Sequence, residues 1–188
     1  MYLINTLFDF VQNPPQTIKK IMEERKLSAA FFGFMFGALG MLLFFALGNR
    51  SQIGQGALVF GFISILFLDL CLGFFFAASA HLFLEITTGK GKAAGLFVLL
   101  GLSEFAKTLL AAYSLLAMIS PLLAQLKLAA FFAVLILQLL FVLYMMKEAY
   151  GLSKIRTFFA LVLSFVPSVI CLCFAAACAA GFCLWLIV

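Results

Sequence analysis

Three ionisable side chains interrupt long apolar stretches of this sequence and are the first candidates for chemistry. Asp69 lies near the middle of one apolar stretch, and Glu104 and Lys107 lie near the middle of the next. A charged group at the centre of a membrane helix costs about 2.5–3.5 kcal/mol, so each should face other protein groups and find a partner there. Because Glu104 and Lys107 are three positions apart, they share one face of a helix.

Two carboxylates and one amine carry a net charge of minus one when all three groups are ionised. In a site of low dielectric constant, that surplus favours the uptake of one proton or one cation. A cluster of Asp69, Glu104 and Lys107 therefore predicts a proton- or cation-linked transport site, or a polar track for lipid headgroups. The alternative is a salt bridge that fixes the register of the helices and does little else.

The composition of the chain indicates the medium in which these groups lie. Of its 188 residues, 66% are hydrophobic and 10% are charged, and Phe alone accounts for 25. Soluble domains contain roughly 45–50% apolar and about 25% charged residues. A soluble core of this size could not hide so much apolar surface. The chain is therefore predicted to be an integral membrane protein, which excludes a disordered chain, a disulfide scaffold and a nucleic-acid binder.

Five apolar runs predict an all-α, polytopic membrane helical bundle with five transmembrane helices. Crossing ~30 Å of hydrocarbon takes about 20 helical residues, and each run is long enough. The runs are continuous rather than alternating, which argues against strands of a barrel. The spans form a single predicted domain, residues 28–188, and lie at about 28–48, 57–86, 93–119, 128–146 and 157–188, the last with a kink near Pro167.

The basic residues predict the orientation of the bundle. If alternate loops lie on alternate sides, nine Lys and Arg residues lie on the side of the N-terminus and two on the other, with Lys107 inside a span. The positive-inside rule then predicts a cytoplasmic N-terminus and a C-terminus outside. Anionic lipids of the inner leaflet are the expected partners of the basic side. Their predicted headgroup ligands are Lys19, Lys20, Lys90, Lys92, Lys154 and Arg156.

Residues 1–27 are predicted to form a cytoplasmic segment that lies at the membrane interface. Asn13 can cap a helix whose first position is Pro14. Ile18, Ile21 and Met22 then share one face of that helix, whereas lysines and glutamates occupy the rest. The pattern is typical of a short amphipathic helix anchored to the cytoplasmic surface of a bilayer.

His81 and Glu85 form a second possible polar pair, four residues apart on the second span. They could relay protons or hold a metal, but two ligands do not make a metal site and His81 is the only histidine. Interfacial groups that reach headgroups or water are the favoured interpretation. The sequence predicts no metal, no cofactor and no enzyme, because it contains no nucleophile–base set and no phosphate-binding loop.

Three stretches resemble bacterial members of the Yip-domain family, named for Ypt/Rab-interacting proteins. They are NPPQTIKKIMEERKL, HLFLEITTGKGKAAGLFVLLGLSE and KEAYGLSKIRTFFAL. The resemblance implies five spans with a cytoplasmic N-terminus, and the short segment before the first span implies the prokaryotic branch. Many members carry a proline in the third span where Phe105 and Ala106 stand here, so the family's local kink is not expected at that point.

Three functions follow as alternatives, of which the sequence favours the first; the third and weakest is an accessory subunit of a larger complex. The resemblance implies a non-catalytic membrane-organising or partner-binding protein of the prokaryotic inner membrane, acting as a homodimer or with another membrane protein. The charges inside the spans predict instead a proton- or cation-linked transporter or a lipid scramblase. For the transporter, Asp69, Glu104 and Lys107 should line a cavity open towards one side; for the organising protein, no water-accessible central path is expected.

Overall fold

The computed structural model of this chain describes residues 9, 12–24, 26–48, 54–88 and 92–187, with side chains up to 173 apart from Leu172. All regular secondary structure in these ranges is helical. Five helices are long and apolar enough to cross a membrane, which confirms the predicted all-α architecture. These candidate spans are Leu27–Leu47, Gln55–Thr87, Ala93–Ile119, Lys127–Tyr150 and Lys154–Cys171.

The helices follow one another with short connections and are numbered here in chain order. They are α1 (Pro14–Glu24), α2 (Leu27–Gly48), α3 (Gln55–Thr88), α4 (Ala93–Ser103), a 3₁₀ turn (Glu104–Lys107), α5 (Thr108–Ile119), α6 (Pro121–Gln125), α7 (Lys127–Tyr150) and α8 (Lys154–Ile187). The third span is the continuous run from α4 through the 3₁₀ turn to α5. The short helix α6 was not predicted from the sequence; it begins at Pro121 after an extended Ser120.

The end of α7 is set by Gly151, which takes a left-handed backbone conformation with φ 65°. In that conformation the amide of Leu152 reaches back to the carbonyl of Lys147 at 3.2 Å and closes the last turn of the helix. Side chains other than glycine pay a steric cost there. This turn sends the chain directly into α8, so α7 and α8 meet at the same end of the bundle as α1.

The first helix is amphipathic as predicted, and its apolar face packs against the spans. Ile18, Ile21 and Met22 are buried and belong to the same core as Leu96 and Met146 of the spans. Each such side chain contributes about 1.5–3 kcal/mol when it is removed from water. This helix therefore packs across the end of the bundle, and its interfacial position stays a prediction. Its lysines remain exposed, because they lie on the opposite face.

A row of glycines in α2 brings this helix into backbone contact with the third span. A methyl group added at Gly33 would collide with the carbonyl of Gly101, and one at Gly40 would lie 2.5 Å from the carbonyl oxygen of Lys107. Gly37 lies between them, against Glu104. Small residues at such spacing allow close packing of helices in membranes. The sequence analysis missed this row, although its spacing of four and three residues is a readable signal.

Apolar side chains also cover the outside of the bundle. Phe60 on α3 and Ile119 on α5 are 74% and 83% exposed, and many Phe and Leu residues on the long helices are similarly open. An apolar surface of this extent is not stable in water and is typical of a membrane-facing protein. The five helices are thus consistent with a multi-pass membrane protein.

The last predicted span forms one helix from Lys154 to Ile187, with Pro167, the predicted position of a kink, inside it. Its first part, Lys154–Cys171, is already long and apolar enough to span. The side chains of the alanine- and glycine-rich segment after 173 lie outside the described part of the chain.

We expect Gly33→Ala to destabilise the protein by about 1–3 kcal/mol, because the added methyl group forces α2 away from the carbonyl of Gly101. The thermal midpoint of the detergent-purified protein measures this loss. Gly56→Ala is the matched control, since nothing lies within 4 Å of a methyl group placed there. A Gly33→Ala variant as stable as Gly56→Ala would contradict the close approach of the two spans.

Candidate functional site

The third span tightens at the residues that carry its charges. Glu104–Lys107 forms a 3₁₀ turn between α4 and α5, although no proline lies in this span. The hydroxyl of Ser103 donates to the carbonyl of Leu100 at 2.6 Å, and that of Thr108 donates to the carbonyl of Phe105 at 2.7 Å. Hydroxyls that bond back to the preceding turn bend helices. The 3₁₀ turn therefore interrupts the regular α-helix of the third span at a point where the sequence predicted no irregularity.

The 3₁₀ turn stacks Glu104 directly against Lys107. Residues three apart eclipse each other in this geometry, more closely than in an α-helix. The Nζ of Lys107 lies 2.6 Å from Oε2 of Glu104. Both residues are buried, and α2 approaches their backbone through Gly37 and Gly40.

Asp69 completes the ion cluster from the neighbouring span. The Nζ of Lys107 donates to both carboxylate oxygens of Asp69 at 3.0 Å. Asp69 projects from the middle of α3, and its side chain is 11% exposed. The structure therefore brings together Asp69, Glu104 and Lys107, and Lys107 bridges the two carboxylates.

Gln138 is a fourth member that the sequence analysis left unassigned. Its Nε2 donates to Oε1 of Glu104 at 2.6 Å. Gln138 is the one polar residue in the apolar sequence between residues 128 and 143, and this isolation could have marked it as a member of the cluster. Tyr144, the next polar side chain on the same helix, is 37% exposed. The polar cluster, defined as Asp69, Glu104, Lys107 and Gln138, thus joins α3, the third span and α7.

A cavity of about 190 Å³ lies against the polar cluster. Asp69, Glu104 and Lys107 line one part of its wall, and Ser168 of α8 lines another. The remaining lining is apolar and includes the rings of Phe34, Phe76, and Phe165. Since a single water needs only about 10–15 Å³ of such space, the cavity has room for a small ligand or several waters. The three charged side chains therefore border an open cavity on one side.

Three small residues on the Asp69 face of α3, Gly73, Ala77 and Ala80, pack tightly or line the cavity. Ala77 and Ala80 are buried in the core, whereas Gly73 lines the cavity. A methyl group at Gly73 would lie 2.5 Å from the ring of Phe34. The absence of a side chain at Gly73 therefore gives Phe34 its place in the cavity wall.

His81 and Glu85 form a separate pair outside this cavity. The Nε2 of His81 lies 3.1 Å from Oε2 of Glu85, and their side chains are 27% and 58% exposed. Neither residue lines the cavity beside Asp69. Within the described ranges, no group of three or more potential ligands is placed to hold a metal ion.

Five of the six predicted headgroup ligands lie at the end of the bundle that also carries α1. Lys19, Lys20, Lys92, Lys154 and Arg156 are all exposed, and Lys90 lies outside the described residues. Arg156 also lines a second cavity of about 340 Å³ between the end of α3 and the start of α8. Lys127 lies at the opposite end of the bundle, with its Nζ 4.8 Å from the ring centre of Phe44.

Comparisons with protein-family models, with curated proteins and with solved structures find no match to this chain. The resemblance to the Yip-domain family therefore stays a prediction from the three quoted stretches.

We expect Lys107→Met to destabilise the protein by about 3–5 kcal/mol, because it leaves two buried carboxylates without their shared cation. The measurement is the thermal midpoint in detergent, with Lys154→Met as the control for loss of an exposed lysine. The neutral triple variant D69N/E104Q/K107M should recover most of the loss, since no buried charge remains. Equal midpoints for Lys107→Met and the wild type would show that the ion cluster does not form.

Proposed function

We propose that this chain is a proton- or cation-linked membrane transport protein that uses the cavity beside Asp69, Glu104 and Lys107. The observation that supports this function best is that all three groups line the wall of one open cavity at mid-height in the bundle. A salt bridge that served only to hold the helices in register would work equally well in solid packing.

The charge balance of the cluster supplies the mechanism. Lys107 lies within 3.0 Å of both carboxylates and neutralises one of the two negative charges. Gln138 adds a hydrogen bond to Glu104 but no charge. Among the described residues that line the cavity, no second cation is present. One bound proton or cation therefore makes the site neutral, and a neutral site costs less in hydrocarbon than a charged one.

Release requires the bound ion to leave by a path that the protein controls. The 3₁₀ turn is the element suited to this role, because such turns within helices mark hinges. Lengthening the turn to regular α-helix would move Lys107 relative to Glu104 and alter its bridge to Asp69. A change of the cluster between two such arrangements would couple ion uptake to movement of the third span.

The positions of the basic residues also support a proposal for the orientation of the protein in the membrane. Exposed Lys19, Lys20, Lys92, Lys154 and Arg156 all lie at the end of the bundle that carries α1. This bias supports a cytoplasmic N-terminus in the inner membrane of a prokaryote, with anionic lipids around that end.

The membrane-organising function implied by the Yip-domain resemblance is the second proposal, and it has less support. It depended on an amphipathic helix that inserts into the inner leaflet. Ile18, Ile21 and Met22 are instead buried against protein, so that face of α1 is not available to lipid. A dimer or a membrane-protein partner would have to use the exposed outer faces of the spans.

The transport function predicts that Asp69→Asn abolishes ion flux, because the neutral cluster no longer attracts a proton or cation. The protein is reconstituted into liposomes, and fluxes of H⁺, Na⁺ and K⁺ are followed over a range of external pH. Glu85→Gln is the matched control, since it removes an exposed carboxylate from the same helix. Flux in the Asp69→Asn variant equal to that of the wild type would exclude the cluster as the transport site.

The proposed orientation predicts that a reporter enzyme fused after Val188 is active outside the cytoplasm. A periplasmic phosphatase and a cytosolic fluorescent reporter, each fused separately to the chain, give opposite readouts. The same reporters placed before Met1 should give the reverse result. A cytosolic C-terminus would contradict five crossings with a cytoplasmic start.

A further inference from the structure

The wall of the cavity beside Asp69 restricts what it can bind. Apart from the charged groups and Ser168, its lining is aromatic and aliphatic, with rings from Phe34, Phe76 and Phe165. Binding sites with this composition hold mainly apolar ligands and orient them through a few polar groups. The polar groups here carry a surplus of one negative charge.

A metal cation does not fit this wall. Divalent cations take about six or more oxygen ligands, and a potassium site replaces the whole hydration shell with oxygens. The cavity offers the carboxylates of Asp69 and Glu104 and the hydroxyl of Ser168. Both carboxylates already accept from Lys107, and the Ser168 hydroxyl donates to the carbonyl of Ser164 at 2.8 Å. Too few oxygens remain to replace the water around an inorganic ion.

An organic cation fits the same wall well. Ammonium groups are attracted to the faces of aromatic rings and to carboxylates, and their alkyl or aryl substituents pack on apolar side chains. Three phenylalanine rings and a net negative charge within one cavity supply both kinds of contact. The volume of about 190 Å³ suits a ligand of roughly one ring and its substituents, since a cavity of about 150 Å³ holds benzene.

The position of the cavity indicates the route by which such a ligand arrives. Its lining residues lie well inside their helices rather than at the helix ends, and the cavity is partly open. An opening at this height lies between helices and faces the hydrocarbon of the bilayer. Phe165 of α8, which lines the cavity, is 54% exposed. A ligand that enters here has to partition into lipid first.

We propose that this cavity binds a lipophilic organic cation, an ammonium group that carries apolar substituents and enters from the membrane. The proposal rests on the proposed transport function and specifies the class of substrate at the same site. The ammonium group lies beside Asp69 and Glu104, and the substituents lie against Phe34, Phe76 and Phe165. Binding of the cation supplies the missing positive charge, so it takes the place of the proton.

The test is equilibrium dialysis of the full chain in nanodiscs against labelled phenyltrimethylammonium, with empty nanodiscs subtracted. The neutral tert-butylbenzene has the same shape with carbon in place of nitrogen and is measured in parallel. The wild type should bind the cation saturably and more tightly than the neutral compound. Asp69→Asn should weaken binding of the cation by about tenfold or more, which corresponds to about 1.4 kcal/mol, and leave the neutral compound unchanged.

Two further variants separate the aromatic contribution from general effects. Phe165→Leu should lower affinity for the cation by about two- to fivefold with little effect on tert-butylbenzene. Because Phe165 is more than half exposed, this variant tests the proposal even if Asp69→Asn does not fold. Glu85→Gln should bind as the wild type does, since Glu85 does not line the cavity.

The outcomes distinguish this inference from the transport function on which it rests. No saturable binding of phenyltrimethylammonium, or equal affinity for the neutral compound, overturns the organic-cation assignment. Asp69-dependent flux of H⁺, Na⁺ or K⁺ would then still support transport. Binding of the cation that Asp69→Asn abolishes, without any Asp69-dependent flux of protons or of phenyltrimethylammonium, overturns transport and leaves a binding site.

Discussion

The cost of a charged group in hydrocarbon is the constraint on which this structure depends. Three ionisable side chains lie at mid-height in the bundle, and each would be expensive if it faced lipid alone. Lys107 meets this constraint by bridging the carboxylates of Asp69 and Glu104 at 3.0 and 2.6 Å. The bridge fixes the height of α3 relative to the third span, and Gln138 extends the contact to α7.

Close approach of two backbones makes the bridge possible. Gly33, Gly37 and Gly40 let α2 lie directly against the third span, so Glu104 and Lys107 are packed on one side by backbone rather than by bulky side chains. The ammonium group of Lys107 reaches Asp69 of α3, and the carboxylate of Glu104 accepts a hydrogen bond from Gln138 of α7. The 3₁₀ turn at Glu104–Lys107 then stacks the two groups on one another. The polar cluster is thus a product of small residues on a neighbouring helix as well as of the charges themselves.

The same arrangement leaves the cluster incomplete. Its charges sum to minus one, and its open side is a cavity whose other walls are largely aromatic and aliphatic. A positive ligand or a proton would remove the surplus charge, whereas the apolar wall disfavours a hydrated ion. The proposed transport function and the proposed class of ligand both follow from these two properties, charge and wall composition. They rely on different measurements, since one concerns movement across the bilayer and the other concerns affinity.

The amino-acid sequence by itself determined the membrane-spanning helices, the amphipathic character of α1 and the residues of the ion cluster, because hydropathy and charge act over short stretches of chain. Asp69, Glu104 and Lys107 were predicted as partners from their depth in the spans and from the three-residue spacing of Glu104 and Lys107. Only the tertiary structure decided the burial of Ile18 and Met22 against protein, the contact of Gly33 with Gly101, the addition of Gln138 and the aromatic wall around the charges. These features depend on which helices are neighbours and how they are rotated, and a uniformly apolar span carries little information about its own rotation. Any face of such a helix is acceptable to lipid, so the packing of backbone and side chains between helices, rather than hydropathy, selects the face that turns inward.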